Sequence, residues 1–235
     1  VVYFFRKNDS LLHFVKPVFD RCVFLKTCTN GSSELMTNLS MSLVNALYNL
    51  QLMKIAGENG VAAYGAVMYV NFIFVATFLG YAIGCAPVIS YHYGAGNHAE
   101  LKNLYKKSMS IILVWGVILF GAAQLLAPVL SKIFVGYNTG LYAMTLHGFR
   151  VYAIAFLIIG INIFGSSFFT ALNNGLISAV ISFLRTLVFQ VIMVLTLPLW
   201  FGINGIWSAI SIAEVLTLIM TTTFFVRQKD KYHYL

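Results

Sequence analysis

A chain of 235 residues that is 60% hydrophobic and only 9% charged, with a mean hydropathy of +0.84, is not composed like a water-soluble domain, which carries roughly a quarter charged residues. Lipid must therefore be the solvent for most of its surface, and its six long apolar segments leave no room for a soluble catalytic domain. The net charge of +8 would suit nucleic acid, but its placement excludes that reading, because the basic residues gather at one set of segment ends as a membrane topology signal does.

The chain has no initiator Met and opens on Val1-Val2-Tyr3-Phe4-Phe5 before Arg6 and Lys7, which reads as the cytoplasmic end of an earlier span. Residues 6–32 follow as an amphipathic linker, in which Leu11, Leu12, Phe14, Val15, Val18, Phe19 and Val23 alternate with basic residues along the membrane interface. Asn30-Gly31-Ser32-Ser33 reads as a helix start, with Glu34 in the first turn. Spans are then expected near 33–56, 61–90, 109–130, 149–172, 175–200 and 203–226, each long enough to cross about 30 Å of hydrocarbon at ~1.5 Å per residue. The expected fold is all-α: a polytopic membrane protein whose residues 33–226 form a six-transmembrane-helix bundle, preceded by residues 1–32 and followed by a cytoplasmic tail at 227–235.

Gly57-Glu58-Asn59-Gly60, Asn173-Asn174-Gly175 and Phe201-Gly202-Ile203-Asn204-Gly205 are brief connections, and brief connections force antiparallel neighbours. The longer ones are 91–108, inside, and 131–148, outside, the latter expected to hold a short interfacial helix. Pro87, Pro128 and Pro198 fall near span ends, where kinks are tolerated. The end of the bundle that carries both termini holds Arg6, Lys7, Lys16, Arg21, Lys26, Lys102, Lys106, Lys107, Arg227, Lys229 and Lys231, against Lys54, Lys132 and Arg150 at the other. The positive-inside rule puts the first group, and both termini, in the cytoplasm. Cys22, Cys28 and Cys85 form no C-x-x-C pair, so neither a disulfide framework nor a metal site is expected.

Polar residues inside the spans are costly in lipid and so mark function or structure. On the first span Glu34, Asn38, Asn45 and Asn49 fall within about 60° of one helix face at ~100° per residue, with Ser42 at its edge. Such a stripe either lines a water-filled, substrate-accessible cavity or bonds neighbouring helices. On the second span, Asn71 near mid-span stands among Tyr64, Tyr69, Phe72, Phe74 and Tyr81, a set able to hold flat, lipophilic cations. Arg185 and Glu214 lie ~15 Å and ~18 Å deep on adjacent antiparallel spans, and are expected to pair as a structural staple. His13, His92, His98, His147 and His233 all sit outside the deep membrane, and no H-E-x-x-H, G-x-S-x-G or P-loop pattern occurs. No enzyme activity is expected.

Residues 87–97 (Pro87-Val88-Ile89-Ser90-Tyr91-His92-Tyr93-Gly94-Ala95-Gly96-Asn97) resemble the loop after the eighth helix of multidrug and toxic compound extrusion (MATE) transporters. Phe168 to Gly175, with Ser178, Ser182 and Arg185, is similar to the region of the tenth and eleventh helices, and Leu197-Pro198 with Phe201 to Trp207 continues the likeness into the twelfth. Asn30 to Leu35 and Gly57 to Ala63 resemble the bacterial, MepA-like branch. The resemblance implies one lobe, helices seven to twelve, of a twelve-helix antiporter in the bacterial cytoplasmic membrane. Such a protein exports small organic cations or other amphiphilic drugs in exchange for H⁺ or Na⁺ by alternating access, with no cofactor, and its partner here would be a missing N-terminal six-helix lobe. The first-span stripe would then help line the central cavity. Some members hold a cation with a glutamate deep in the seventh helix and an acid in the tenth; here Asn38 to Ser42 occupy the first depth and residues 149–172 contain no Asp or Glu, which counts against a Na⁺ site in this lobe. A flippase for lipid-linked saccharides of related architecture, or a non-transporting membrane scaffold, are the alternatives.

Overall fold

The structure is a computed structural model that describes residues 19–234, without the side chains of Asn30, Ser32, Ser33, Glu34, Met36 and Thr37. The expected end of an earlier span at 1–5 and most of the interfacial linker therefore lie outside the described residues. The elements are α1 (Arg21–Gly94), α2 (His98–Val135), α3 (Thr139–Ala153), α4 (Phe156–Ala171), α5 (Gly175–Phe183), a π-helical segment (Leu184–Phe189), α6 (Gln190–Phe201) and α7 (Ile203–Tyr232). Every described element is helical, as hydrocarbon demands of a backbone that must satisfy its own hydrogen bonds.

α1 is two spans joined by a reversal. Gly57 takes φ +63, ψ −155, a conformation that costs a side-chain-bearing residue and that glycine adopts freely. Beyond it the chain doubles back: Tyr48 and Tyr64 stack with ring centroids 5.0 Å apart, although sixteen residues of straight helix would part them by ~24 Å. The arms 21–56 and 58–94 thus form an antiparallel hairpin. Four described helices are long and apolar enough to cross a membrane, or five with α3 and α4 taken as one bent span, and the reversal at Gly57 divides α1 into two arms.

Turn chemistry fixes the remaining reversals. Asn97 accepts from the Glu100 amide (3.1 Å), Asn138 from Gly140 and Leu141 (3.0 and 3.1 Å), and Asn174 from Ile177 (3.3 Å), so asparagines cap α2, α3 and α5. Gly202, at φ +54, turns α6 into α7. Contacts at the two ends of the bundle set its polarity. His98 and His233 rings lie 4.9 Å apart and Asn174 donates to the Tyr232 hydroxyl (2.9 Å) at one end, while His147 and Asn204 meet at 2.8 Å at the other.

The helices outrun the apolar windows. α1 starts at Arg21, where Asp20 accepts from Cys22 and Val23, and runs through the Asn30–Ser33 cluster without a break. That cluster is not a helix start, because the cap is already supplied ten residues earlier. The expected long connections shrink to turns at 95–97 and 136–138, since polar residues past the hydrocarbon edge still favour helix. The span expected at 149–172 begins instead at Thr139 and bends by 48° at Ile154–Ala155. α7 continues to Tyr232, and Tyr234 beyond it is fully buried.

α4 is the central helix, buried along most of its length from Phe156 to Ala171. Small residues let its neighbours approach, which is how helices bind one another where lipid removes the hydrophobic drive. A Cβ on Gly160 would strike the Phe78 ring, and one on Gly165 would strike Thr221. At the end of the bundle near Tyr234, Tyr105, Phe168, Phe169, Phe225 and Tyr234 interlock with ring centroids 5.0–6.2 Å apart, and the Tyr234 hydroxyl donates to the Phe225 carbonyl (2.8 Å).

Candidate functional site

A cavity of about 220 Å³ opens between the α1 hairpin, α3, α4, the π segment and α7. Its apolar wall is made by Met68, Val75, Ile159, Ile163 and Ile210, with the buried Tyr48–Tyr64 stack at its edge. Its polar residues are Asn45, Asn71, Arg185, Thr186, Gln190 and Glu214. Exposed Met41, Asn45 and Phe72 stand at its mouth.

Glu214 is 1% exposed, and Arg185 comes to meet it with its side chain 15% exposed. The Arg185 Nε donates to Oε1 at 2.9 Å and to Oε2 at 3.2 Å. Asn162 closes the other side: its Nδ2 donates to Oε2 at 2.7 Å and to the Glu214 carbonyl at 3.0 Å. The carboxylate is thus held by three elements, α4, the π segment and α7. Charge-assisted bonds of this kind offset the desolvation of a deep ion pair. The π segment matters here, because its wider turn sets where Arg185 emerges, and such turns recur at functional positions.

Of the residues singled out in the sequence, Asn45, Asn71, Arg185 and Glu214 come together around this cavity. Asn45 accepts from the Tyr64 hydroxyl (3.0 Å), and Asn49 donates to the Asn45 carbonyl one turn back (3.0 Å). Asn38, Ser42 and Asn49 lie on the exposed face of the first arm, outside the cavity lining. Glu34 lies in the same arm, and its side chain is outside the described part. Tyr69 and Phe72 are exposed, and Tyr69 stacks on Phe134 at 6.1 Å instead of facing inward. Asn162 was not among the expected residues. Its signal was available: one amide in the apolar run Phe156–Gly165 must find a partner in the bundle. Among the described residues no three His, Cys, Asp or Glu gather as metal ligands.

Comparisons with known proteins bear on the family and the fold. The MatE family model matches residues 35–196. No curated protein matches the chain significantly. Among solved structures, an outward-facing multidrug resistance MATE family transporter of the MOP superfamily superposes with a TM-score of 0.88 at 20% identity, over 98% of this chain and 52% of that one. A MATE in the straight conformation gives 0.88 at 19% identity over 100% and 53%. A MOP superfamily transporter from Pyrococcus furiosus, described as having a binding pocket of reversed polarity, gives 0.86 at 20% over 97% and 52%. The chain therefore spans about half the length of the structures it matches.

Proposed function

The chain belongs to the MatE family of transporters and not to a class of enzymes, and from that membership we propose that it forms one six-helix lobe of a twelve-helix secondary antiporter. Its partner is a second six-helix lobe, and the two face each other across a central path. The transporter exports amphiphilic, often cationic, compounds in exchange for H⁺ or Na⁺ by alternating access. It sits in a bacterial cytoplasmic membrane with the Tyr232 end of the bundle, richer in basic residues, toward the cytoplasm.

One observation carries this reading: the polar residues of the first hairpin lie on its exposed face or line a cavity. Asn38, Ser42, Asn45 and Asn49 are exposed on one arm, and Asn71 lines the cavity on the other. A lobe that merely scaffolds would present lipid-compatible side chains there. The Arg185–Glu214–Asn162 cluster serves as the staple that fixes the α4, π-segment and α7 walls of this surface.

The test replaces Asn38, Asn45 and Asn49 together by Ala in the complete protein. Export of a cationic dye from cells should fall about tenfold or more, as expected when several positioning contacts are lost, at unchanged membrane abundance. Unchanged export at normal abundance refutes the path role of the stripe.

A further inference from the structure

The ion pair does not use all of Arg185. Only its Nε engages Glu214, and its two terminal nitrogens meet no acceptor among the described residues. The side chain keeps 15% exposure, all the more telling beside the 1% of Glu214. Both residues line the cavity, the guanidinium with more exposed surface than the carboxylate. Two further groups on the same cavity are unmet: the Asn71 Oδ1 and the Tyr48 hydroxyl are buried without a hydrogen-bond partner among the described residues. In a hydrocarbon setting each unmet polar group is costly; others occur elsewhere in the bundle, as at Ser131, Trp207 and Thr221, but Asn71, Tyr48 and Arg185 line one cavity together, where a ligand can meet them.

We propose that this cavity is a carboxylate-recognition subsite, in which the terminal nitrogens of Arg185 take the carboxylate of an aromatic amphiphile whose ring enters between the apolar walls of Met68, Val75 and Ile159. This rests on the reading of the lobe as part of an exporter and names a substrate class for it. A guanidinium fork matches a carboxylate bidentately. Asn71 Oδ1 offers an acceptor to a donor on the same ligand, and Tyr48 can donate to its oxygen. A bare cation finds the wrong sign at the tip of Arg185. A dianion fits less well, since Glu214 already halves the local charge. The volume of about 220 Å³ is below that of a whole drug site, roughly 300 Å³ or more, so the acidic ring enters while the rest of the ligand stays at the mouth by Phe72 and Met41. Any cationic part of a zwitterionic substrate is left outside this subsite.

The probe is a matched pair: a rhodamine whose carboxyphenyl group is free, and its methyl ester. Binding is read by fluorescence anisotropy on the complete protein in lipid nanodiscs at neutral pH. The free acid should bind about tenfold more tightly than the ester, the scale of one charged hydrogen-bonded contact. Glu214→Gln keeps an acceptor for Nε but removes the neutralising charge, so it should widen that preference; a purely structural pair does not predict this sign. Arg185→Gln with Glu214→Gln leaves no buried charge to destabilise the fold and should bring the two dyes to parity. Equal affinities in the parent, a preference that survives in the double variant, or no binding of either dye overturns the subsite. Efflux of both dyes from reconstituted vesicles without preference overturns it and leaves the export reading intact. A binding preference without any efflux overturns the export reading and leaves the subsite.

Discussion

Two regions of this lobe use the same helices to opposite ends. Near Tyr234, five aromatic rings from α2, α4, α7 and the chain beyond it interlock, and the buried Tyr234 hydroxyl has its acceptor in the Phe225 carbonyl. Around Arg185, α4, the π segment and α7 instead hold a charged cluster in which Arg185 and Asn162 meet the Glu214 carboxylate, while the Asn162 Oδ1 and, on the cavity, the Asn71 Oδ1 and Tyr48 hydroxyl find no partner among the described residues. The difference teaches where each kind of residue is spent. Close packing of apolar rings tolerates no gap and gives rigidity. Unmet polar groups in lipid give nothing to stability, and where they line a cavity they leave room for a ligand to meet them.

The comparison is broken most forcefully at its polar end. Arg185→Met alone leaves Glu214 buried and unpaired, and should lower stability by about 3–5 kcal/mol, measured as thermal unfolding in detergent. Arg185→Met with Glu214→Leu should recover most of that loss, because two apolar groups of similar volume need no partners. Recovery of stability without recovery of dye binding separates the staple from the subsite, whereas a double variant as unstable as the single one means that the cluster carries more than a charge pair.

At the aromatic end the effect is smaller and of one kind. Phe168→Leu removes a fully buried ring and should cost about 1–2 kcal/mol of stability through an imperfectly filled space, with the ratio of acid to ester binding unchanged. A shift in that ratio would show that the two regions are coupled through α4.

Much of this was legible in the sequence because lipid leaves few choices. Apolar runs of span length marked the all-helical membrane fold, and Gly57, Asn174 and Gly202 marked three of the reversals through their turn chemistry. Helix ends were not legible, since hydropathy reports the hydrocarbon edge and not the hydrogen-bonded end; α1 therefore runs straight through Asn30–Ser33, and α7 runs on to Tyr232. The 48° bend falls at Ile154–Ala155, with neither Gly nor Pro to announce it. Arg185 and Glu214 stood out as deep charges, but which nitrogen of Arg185 is used depends on the π segment, a half-turn adjustment that no periodicity signals. Asn162 was legible as the one amide in the apolar run Phe156–Gly165, but nothing in the sequence named Glu214 as its partner. The polar stripe was visible as a stripe, yet only Asn45 of its described members reaches the cavity, because the hairpin's rotation is set by Tyr48 and Tyr64.

The smallest structural change gives the most direct test of the central claim, that the polar wall is the substrate surface. In a complete protein with Cys22, Cys28 and Cys85 replaced by Ser, Asn71→Cys puts a thiol on the cavity wall with little effect on packing. The measurement is its labelling rate by a water-soluble maleimide, with and without the free-acid rhodamine. The account predicts labelling that the dye slows several-fold, the protection expected of ligand occupancy, while a thiol placed at Phe168 stays unreactive. A thiol at position 71 that never reacts, or that reacts at the same rate with dye present, contradicts it.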